Sequence, residues 1–249
     1  MTRVAMPAAG MGRRLGREPQ EPKALLRFDG ESLLARHLRI LRHFGLERLD
    51  MAVGFRAEAI EGELRRLGAG DRVRRCYNPR YAEGSVLSLA ALRPAFTAGE
   101  TVLFMDADVL YDHRLLAPLL HAEVPSAFLM DTAAGIDDEA VKLCLAGGRP
   151  VDFGKSPSVP HDRAGEWIGF ARFAADTAAE IADIAERYVA AGRRDAPYED
   201  VFRDVLRAAA PGRVQAVDIA GLPWIEIDFP QDLKRAEHEV LPRLEPLPP

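Results

Sequence analysis

Two pairs of acids, a glycine-rich turn and a few isolated lysines carry the chemistry this sequence could perform. Asp106 and Asp108 end the apolar run TVLFMDAD (101–108), and Glu226 and Asp228 end a second one, WIEID (224–228). Acids at the carboxyl ends of buried strands lie where open α/β sheets bind ligands. Hard carboxylate oxygens suit Mg²⁺, which is held by one or two such groups together with substrate phosphates. Strand alternation puts Asp106 and Asp108 on one side, and Asp108 is the first candidate metal ligand. Asp228 has two options: a second metal carboxylate, or the N-cap of the helix that Pro230 starts. The metal role complements Asp108 from another strand end. Glu226, in phase with Asp228, is the weaker candidate.

The turn is PAAGMGRRLG (7–16), directly after the short strand-like run RVAM. Small residues at Ala8, Ala9, Gly10 and Gly12 let backbone N–H groups approach an anion closely. Arg13, Arg14 or both add charge-assisted contacts. No Gly-Lys-Ser/Thr follows, so this is not a Walker loop, and the glycine spacing is not G-x-G-x-x-G. Lysine is scarce, with 4 against 29 arginines. Lys23 in EPKALL and Lys155 in VDFGKSP sit in turn-like contexts, where a compact ammonium can meet a phosphate as a point charge. Lys142 and Lys234 read as surface residues. The two tryptophans adjoin acids: Trp167 follows Glu166, and Trp224 precedes Glu226. An aromatic face beside a carboxylate would hold a cationic head group; the alternative is that both rings belong to the sheet core. None of the six histidines falls in a catalytic motif.

The elements that must position these residues alternate in the first half of the chain. Strands are predicted at RVAM, RLDMAVGF (48–55), RVRRCYN (72–78) and TVLFMDAD. Helices are predicted at ESLLARHLRILRHF (31–44), AEAIEGELRRLG (57–68) and SVLSLAALRPAF (85–96). Such alternation implies a parallel sheet with both faces covered. The middle changes character: SAFLMD, AVKLCLAGGRPVDFG and EWIGFARF read as consecutive strands, with a hairpin turn at Gly147–Gly148. Two helices near 174–191 and 198–209, strands at RVQAVDI and WIEID, and a last helix PQDLKRAEHEVL complete the pattern. The fold class is α/β, a Rossmann-like three-layer α/β/α sandwich with a mixed, mostly parallel sheet and a small antiparallel insertion. One domain over 1–249 is expected, with 1–122 mainly binding nucleotide and 123–249, including the C-terminal helix, mainly binding the acceptor.

Composition fits this reading. At 48% hydrophobic, the chain can fill a core. No apolar run reaches a membrane span, and Cys76 and Cys144 read as buried reduced thiols, so a cytoplasmic protein without membrane association is expected. Residues 1–80 hold 17 Lys/Arg against 10 Asp/Glu, and residues 81–249 hold 16 against 28. A basic first third can attract phosphate and an acidic remainder can hold metal. The overall charge of −5 argues against a nucleic-acid partner. A homodimer is compatible with the sequence.

Taken together, AAGMGRRLG…EPKALL, FMDADVL and EIDFPQDL resemble the nucleotidyltransferase superfamily that makes sugar nucleotides and CDP-alcohols. GFRAEAIEGEL, NPRYAEGSVLSLAAL and the ending are most similar to bacterial phosphocholine cytidylyltransferases, with inositol-phosphate and aminoethylphosphonate cytidylyltransferases close by. The resemblance implies a Mg²⁺-dependent reaction in which a phosphate or phosphonate oxygen attacks the α-phosphorus of an NTP, CTP favoured, and pyrophosphate leaves. It implies that Ala8, Ala9, Gly10, Met11, Gly12 and Arg13 hold the triphosphate, with Arg14 and Lys23 neutralising charge at the transferred phosphate and leaving group. It places Gly84 and Ser85 in the base and ribose pocket, with Asp106 alongside the nucleotide. It makes Asp108 and Asp228 the Mg²⁺ pair, puts Lys155 on the acceptor phosphate as a catalytic and binding group, and sets Glu166 beside the acceptor, where Trp167 and Trp224 are expected from their adjacency to the acids. LGREPQ (15–20) then reads as a mobile flap in which Arg17 is merely solvated. Relatives often carry asparagines where this chain has EGSVLSL, which leaves base and acceptor open. Three functions stay in play: a cytidylyltransferase for a small phosphorylated or phosphonate alcohol, a sugar-1-phosphate nucleotidyltransferase using UTP, GTP or dTTP, and a non-catalytic nucleotide-binding regulator.

Overall fold

The protein is described by a computed structural model covering residues 1–16 and 21–248; Arg17 and the rest of the proposed flap over 17–20 lie outside the described residues. The chain opens with β1 (Thr2–Pro7). A small hairpin of β2 (Arg27–Phe28) and β3 (Glu31–Ser32) follows, closed at Asp29 and Gly30, both with positive φ. This hairpin takes the first two residues of the helix predicted from Glu31. Helix α1 (Leu33–His43) starts after Ser32, whose side chain accepts the Ala35 N–H at 3.1 Å as an N-cap.

Next come β4 (Leu49–Val53), α2 (Ala57–Arg66), β5 (Val73–Tyr77), α3 (Ser85–Ala91), α4 (Arg93–Phe96) and β6 (Thr101–Met105). The single helix predicted over 85–96 is broken at Leu92, because Pro94 cannot donate a helical hydrogen bond. After β7 (Val109–Tyr111) and α5 (Leu116–Leu120) come β8 (Ser126–Asp131), β9 (Lys142–Ala146), β10 (Arg149–Gly154) and β11 (Arg163–Phe173). Helices α6 (Ala175–Ala190) and α7 (Tyr198–Ala208), strands β12 (Val214–Asp218) and β13 (Trp224–Glu226), and α8 (Pro230–Arg235) follow. The last helix widens into a π-type turn over Ala236–Val240.

Among the described residues the main sheet has nine strands in the order β10-β9-β11-β6-β1-β4-β5, with β8 bridging β11 and β12. Strands β6, β1, β4 and β5 are mutually parallel, and β11 runs antiparallel to β6, β8 and β9. The eleven-residue β11 joins the two halves: residues 163–166 pair with β9 and residues 170–173 with β6. Between them Gly169, at φ 88°, lets the strand change partners. The middle strands β8, β9, β10 and β11 exist as predicted, and β8 pairs with β11 and β12. The β9–β10 hairpin turns at Gly147–Gly148 as expected, both with positive φ.

Apolar side chains cover both faces of the sheet. One cluster joins α3, α6 and α7 to the sheet through Phe104, Phe128, Phe173 and Phe202; another joins α1, α2 and α5 through Leu34, Ile40, Ile60 and Leu116. This is the expected three-layer α/β/α sandwich. A third, smaller cluster (Phe28, Leu33, Leu110, Ile225, Ile227 and Val240) sits beneath the two-stranded β7–β13 ribbon and the C-terminal helix. Cys144 is buried and Cys76 is half-buried on edge strand β5; both are free. Among the described residues, no helix is long and apolar enough to cross a membrane.

Candidate active site

The carboxyl ends of β1 and β6 open into one cavity of about 600 Å³. The turn after β1 is pinned at its base: Ala8 donates its N–H to the Ala52 carbonyl at 2.9 Å, and Phe55 donates to the Ala9 carbonyl at 3.1 Å. Past this anchor a side chain added at Gly10 would meet open space, and Gly12 adopts φ 61°. Ala8, Ala9, Gly10, Gly12, Arg13 and Arg14 all line the cavity, as do Gly84, Ser85 and Asp106. Met11 does not line it; its sulfur faces the Arg13 guanidinium at 4.0 Å.

Lys23 enters from the far side of the loop. It follows Pro22 in a short 3-10 turn whose next two residues, Ala24 and Leu25, are buried and fix it. Its Nζ lies 2.9 Å from Asp108 Oδ2 and 2.5 Å from Asp228 Oδ1. Burial works against the ammonium charge, but the two carboxylates outweigh it and hold the pKa above the ordinary lysine value. Arg14 forms an ion pair with the other Asp228 oxygen at 2.9 Å and lies 5.3 Å over the Phe229 ring.

Asp228 does not cap α8: the N-cap position is Phe229, and Asp232 in the first turn reaches back to accept the backbone N–H groups of Asp228 (3.1 Å) and Phe229 (2.7 Å), while the Asp228 carboxylate lines the site. Oxygens of Asp108, Glu226 and Asp228 lie within 4.8 Å of one another. Three hard oxygen donors at this spacing fit Mg²⁺. Burial, followed by the charges of Asp108 and Asp228, pushes the Glu226 carboxyl up to about 8. Glu226 was visible in the sequence only through its phase with Asp228.

Strand β6 stops at Met105, so Asp106 and Asp108 leave it through a turn, not in strand alternation. Both still line the cavity. Asp106 packs against Gly169, where a Cβ would come within 2.8 Å of its Oδ2, and it accepts the Tyr198 hydroxyl at 2.6 Å. Tyr198 begins α7 and donates its backbone N–H to Ser85 Oγ at 2.8 Å. Gly84 is pressed against this segment: a Cβ there would overlap the Arg194 carbonyl and lie 2.8 Å from Asp195 Cα. Behind the turn, the fully buried His37 faces the Ala107 carbonyl through Nε2 at 3.1 Å, and burial lowers its pKa to about 4. A neutral His37 donating from Nε2 therefore props the turn between the two aspartates. Nothing local in the sequence marks Tyr198 or His37, because each meets the site across 70 or more residues.

A second cavity of about 360 Å³ adjoins the first and shares Arg14, Asp106, Lys155, Tyr198, Glu199, Glu226 and Asp228 with it. Asp131, Asp137, Glu139, Glu166, Trp167 and Trp224 border it. Lys155 spans both cavities and pairs with Glu139 at 2.8 Å. Trp224 donates its indole N–H to Asp131 at 2.9 Å. Burial, together with Asp137 and Asp131, pushes Glu166 up to about 7; burial does the same to Glu199, one of whose oxygens has no partner among the described residues. Trp167 is 4% exposed, with its ring packed among Phe128, Phe153 and Phe202 at centroid distances of 5.4–6.4 Å. It borders the cavity chiefly as a member of the core.

Comparison with known proteins agrees with the motif resemblance. The MobA-like NTP transferase domain matches residues 5–167. A bifunctional IPC transferase and DIPP synthase of Rubrobacter xylanophilus is 36% identical over 243 residues, or 96% of this chain and 52% of the relative; the chain thus spans about half the length of that curated protein. The CTP:phosphocholine cytidylyltransferase of Streptococcus pneumoniae superposes with a TM-score of 0.73 at 20% identity, covering 95% of this chain and 97% of the other. The inositol-1-phosphate CTP transferase of T. maritima gives 0.76 at 22%, covering 98% and 96%. At these identities the structural likeness speaks for the fold.

Proposed function

The chain belongs to the MobA-like NTP transferase domain family, and on that premise we propose that it is a Mg²⁺-dependent cytidylyltransferase that joins CTP to a small polyol phosphate and releases pyrophosphate. The observation that carries the reading is the Lys23 ammonium bridging Asp108 and Asp228 at the mouth of a glycine cradle. It gathers a metal pair, a phosphate cation and a backbone anion site in one place. A regulator that only bound nucleotide would have no need of all three.

In the proposed reaction an ionised acceptor phosphate oxygen forms a bond to the α-phosphorus of CTP. The bond from that phosphorus to the bridging oxygen breaks, and pyrophosphate departs with the electron pair. Both reactants are anions, so the site must first cancel their repulsion. Arg14 and Lys23 are placed to do so at the transferred phosphate and leaving group, and Lys155 at the acceptor phosphate. Asp108 and Asp228, with Glu226 beside them, would hold Mg²⁺, which when bound neutralises phosphate charge. No general base is needed, because a phosphate monoester already carries most of its second charge near neutral pH. Residues 1–122 supply most of the nucleotide site and 123–249 most of the acceptor site, although Asp228 crosses over to the metal. The two free cysteines accord with a cytoplasmic setting.

A polyol acceptor is favoured over a quaternary amine by the cavity wall. Glu166 and Glu199 titrate near 7 and can both donate and accept hydrogen bonds to hydroxyls. Trp167 is 4% exposed, with its ring among phenylalanines, and offers little surface to a cation. The relative at 36% identity is named for an IPC transferase activity. Phosphocholine remains the second reading, supported by the acid excess around the cavity and by Trp224. Pyrophosphate release, measured with CTP, UTP, GTP and dTTP against inositol phosphate, phosphocholine, aminoethylphosphonate and sugar 1-phosphates, tests this. Turnover only with a sugar 1-phosphate and a nucleotide other than CTP would reject it.

A further inference from the structure

We propose that Lys23 is a built-in competitor for the metal: without nucleotide, its ammonium fills the position between Asp108 and Asp228, so the divalent ion enters only with a triphosphate that draws the ammonium away. The inference rests on the reading of these two aspartates as metal carboxylates. It adds an order of events that this reading does not require.

The geometry supports it in three ways. First, the ammonium sits 2.9 Å from one carboxylate and 2.5 Å from the other, inside the same oxygen cluster that fits the metal. A small cation with oxygens at about 2 Å cannot share that space with it. Second, both aspartates already have cationic partners. Asp108 and Asp228 face Lys23 and Arg14, and Arg14 takes the Asp228 oxygen that Lys23 leaves free. A divalent ion arriving alone would meet a neutralised pair and an ammonium at close range.

Third, the lysine has somewhere to go. Its stem lies along Gly12, where an added Cβ would stand 3.1 Å from Lys23 Cγ and 3.5 Å from Cε. Nζ can therefore turn from the carboxylates toward the glycine cradle by side-chain rotation alone, while buried Ala24 and Leu25 hold the backbone. A triphosphate in the cradle gives the ammonium a second anion and frees the carboxylates in the same motion. The apparent metal affinity of the nucleotide-free protein is then reduced by the fraction of time the lysine is withdrawn.

The test is Mn²⁺ binding to the nucleotide-free full chain, followed by electron paramagnetic resonance of the free ion at neutral pH. Wild type is compared with Lys23→Met, Lys23→Gln, Asp108→Asn and the double variant Lys23→Met/Asp108→Asn, each checked for folding by circular dichroism. The expected result is weak binding by wild type, at least about tenfold tighter binding by both single variants, and loss of the gain in the double variant. Tight binding by wild type that Asp108→Asn abolishes would overturn the competition while leaving the metal site in place. A gain that survives Asp108→Asn would overturn both, since the ion would then lie elsewhere. Equally weak binding by wild type and a folded lysine variant would also overturn the competition, and either Lys23→Met or Lys23→Gln suffices for that comparison.

Discussion

Ile227 donates its backbone N–H to the backbone carbonyl of Asp108 at 3.0 Å. This bond extends the β7–β13 ribbon by one step and sets Asp228, the next residue, beside the Asp108 carboxylate. Two acids 120 positions apart in sequence are thus held by main-chain geometry, and Lys23 bridges them. Groups fixed this way act as a unit. Asp108→Asn and Asp228→Asn should each lower kcat by about 10²-fold, with the double variant losing far less than the product of the two. Steady-state pyrophosphate release measures this; multiplicative losses would show that the carboxylates act independently.

Two glycines at the cavity separate function from folding. At Gly10 an added methyl meets nothing within 4 Å among the described residues, whereas at Gly84 it runs into the Arg194–Asp195 backbone. Gly10→Ala should leave the melting temperature unchanged and raise the nucleotide KM, because the crowding arises only when phosphate approaches the loop. Gly84→Ala should lower the melting temperature by several degrees, since overpacking against backbone typically costs about 1–3 kcal/mol. A normal nucleotide KM in Gly10→Ala would remove the loop from phosphate binding.

Much of this site was legible because its parts are local. A strand ending in Asp-Ala-Asp, a glycine turn and a Pro-Lys pair each announce themselves within a few residues. What escaped was set by packing at long range. Tyr198 reaches Ser85 across 113 residues and Asp106 across 92, and no periodicity encodes either contact. Trp167 combines the two sequence readings. It borders the same cavity as its neighbour Glu166, as adjacency suggests, while its ring packs among phenylalanines of the sheet core, the alternative that sequence left open. The break at Leu92 was readable from Pro94, whereas the change of partners along β11 depends on which strands lie beside it.

Asp152 controls the loop that carries Lys155. Its fully buried carboxylate accepts from Arg203 and Arg207 and from the backbone N–H groups of Ser158 and Val159. Burial alone would raise its pKa, but the two guanidiniums and two amides hold it well below the usual carboxylate range. Asp152→Ala leaves two arginines and two amides without their acceptor and should cost about 3 kcal/mol in urea unfolding. In whatever fraction stays folded, the acceptor KM should rise more than the nucleotide KM. Equal changes in both would indicate that the loop does not position Lys155.

Glu166 should make stability depend on pH. Burial, with Asp137 and Asp131 adding to it, raises its carboxyl from 4.5 to about 7. A group raised in the folded state contributes its full stability below the unfolded value and loses it as pH climbs through the folded one. Wild type should therefore match Glu166→Gln near pH 4.5, fall behind it up to about pH 7, and trail by a constant margin above. The margin should be about 1 kcal/mol, well below what the whole shift would give in a sealed site, because the cavity is open to water. Thermal unfolding of both proteins across this range measures it. A difference that stays flat with pH would mean that the carboxyl ionises normally, and the hydroxyl-recognising role assigned to it would fall with that result.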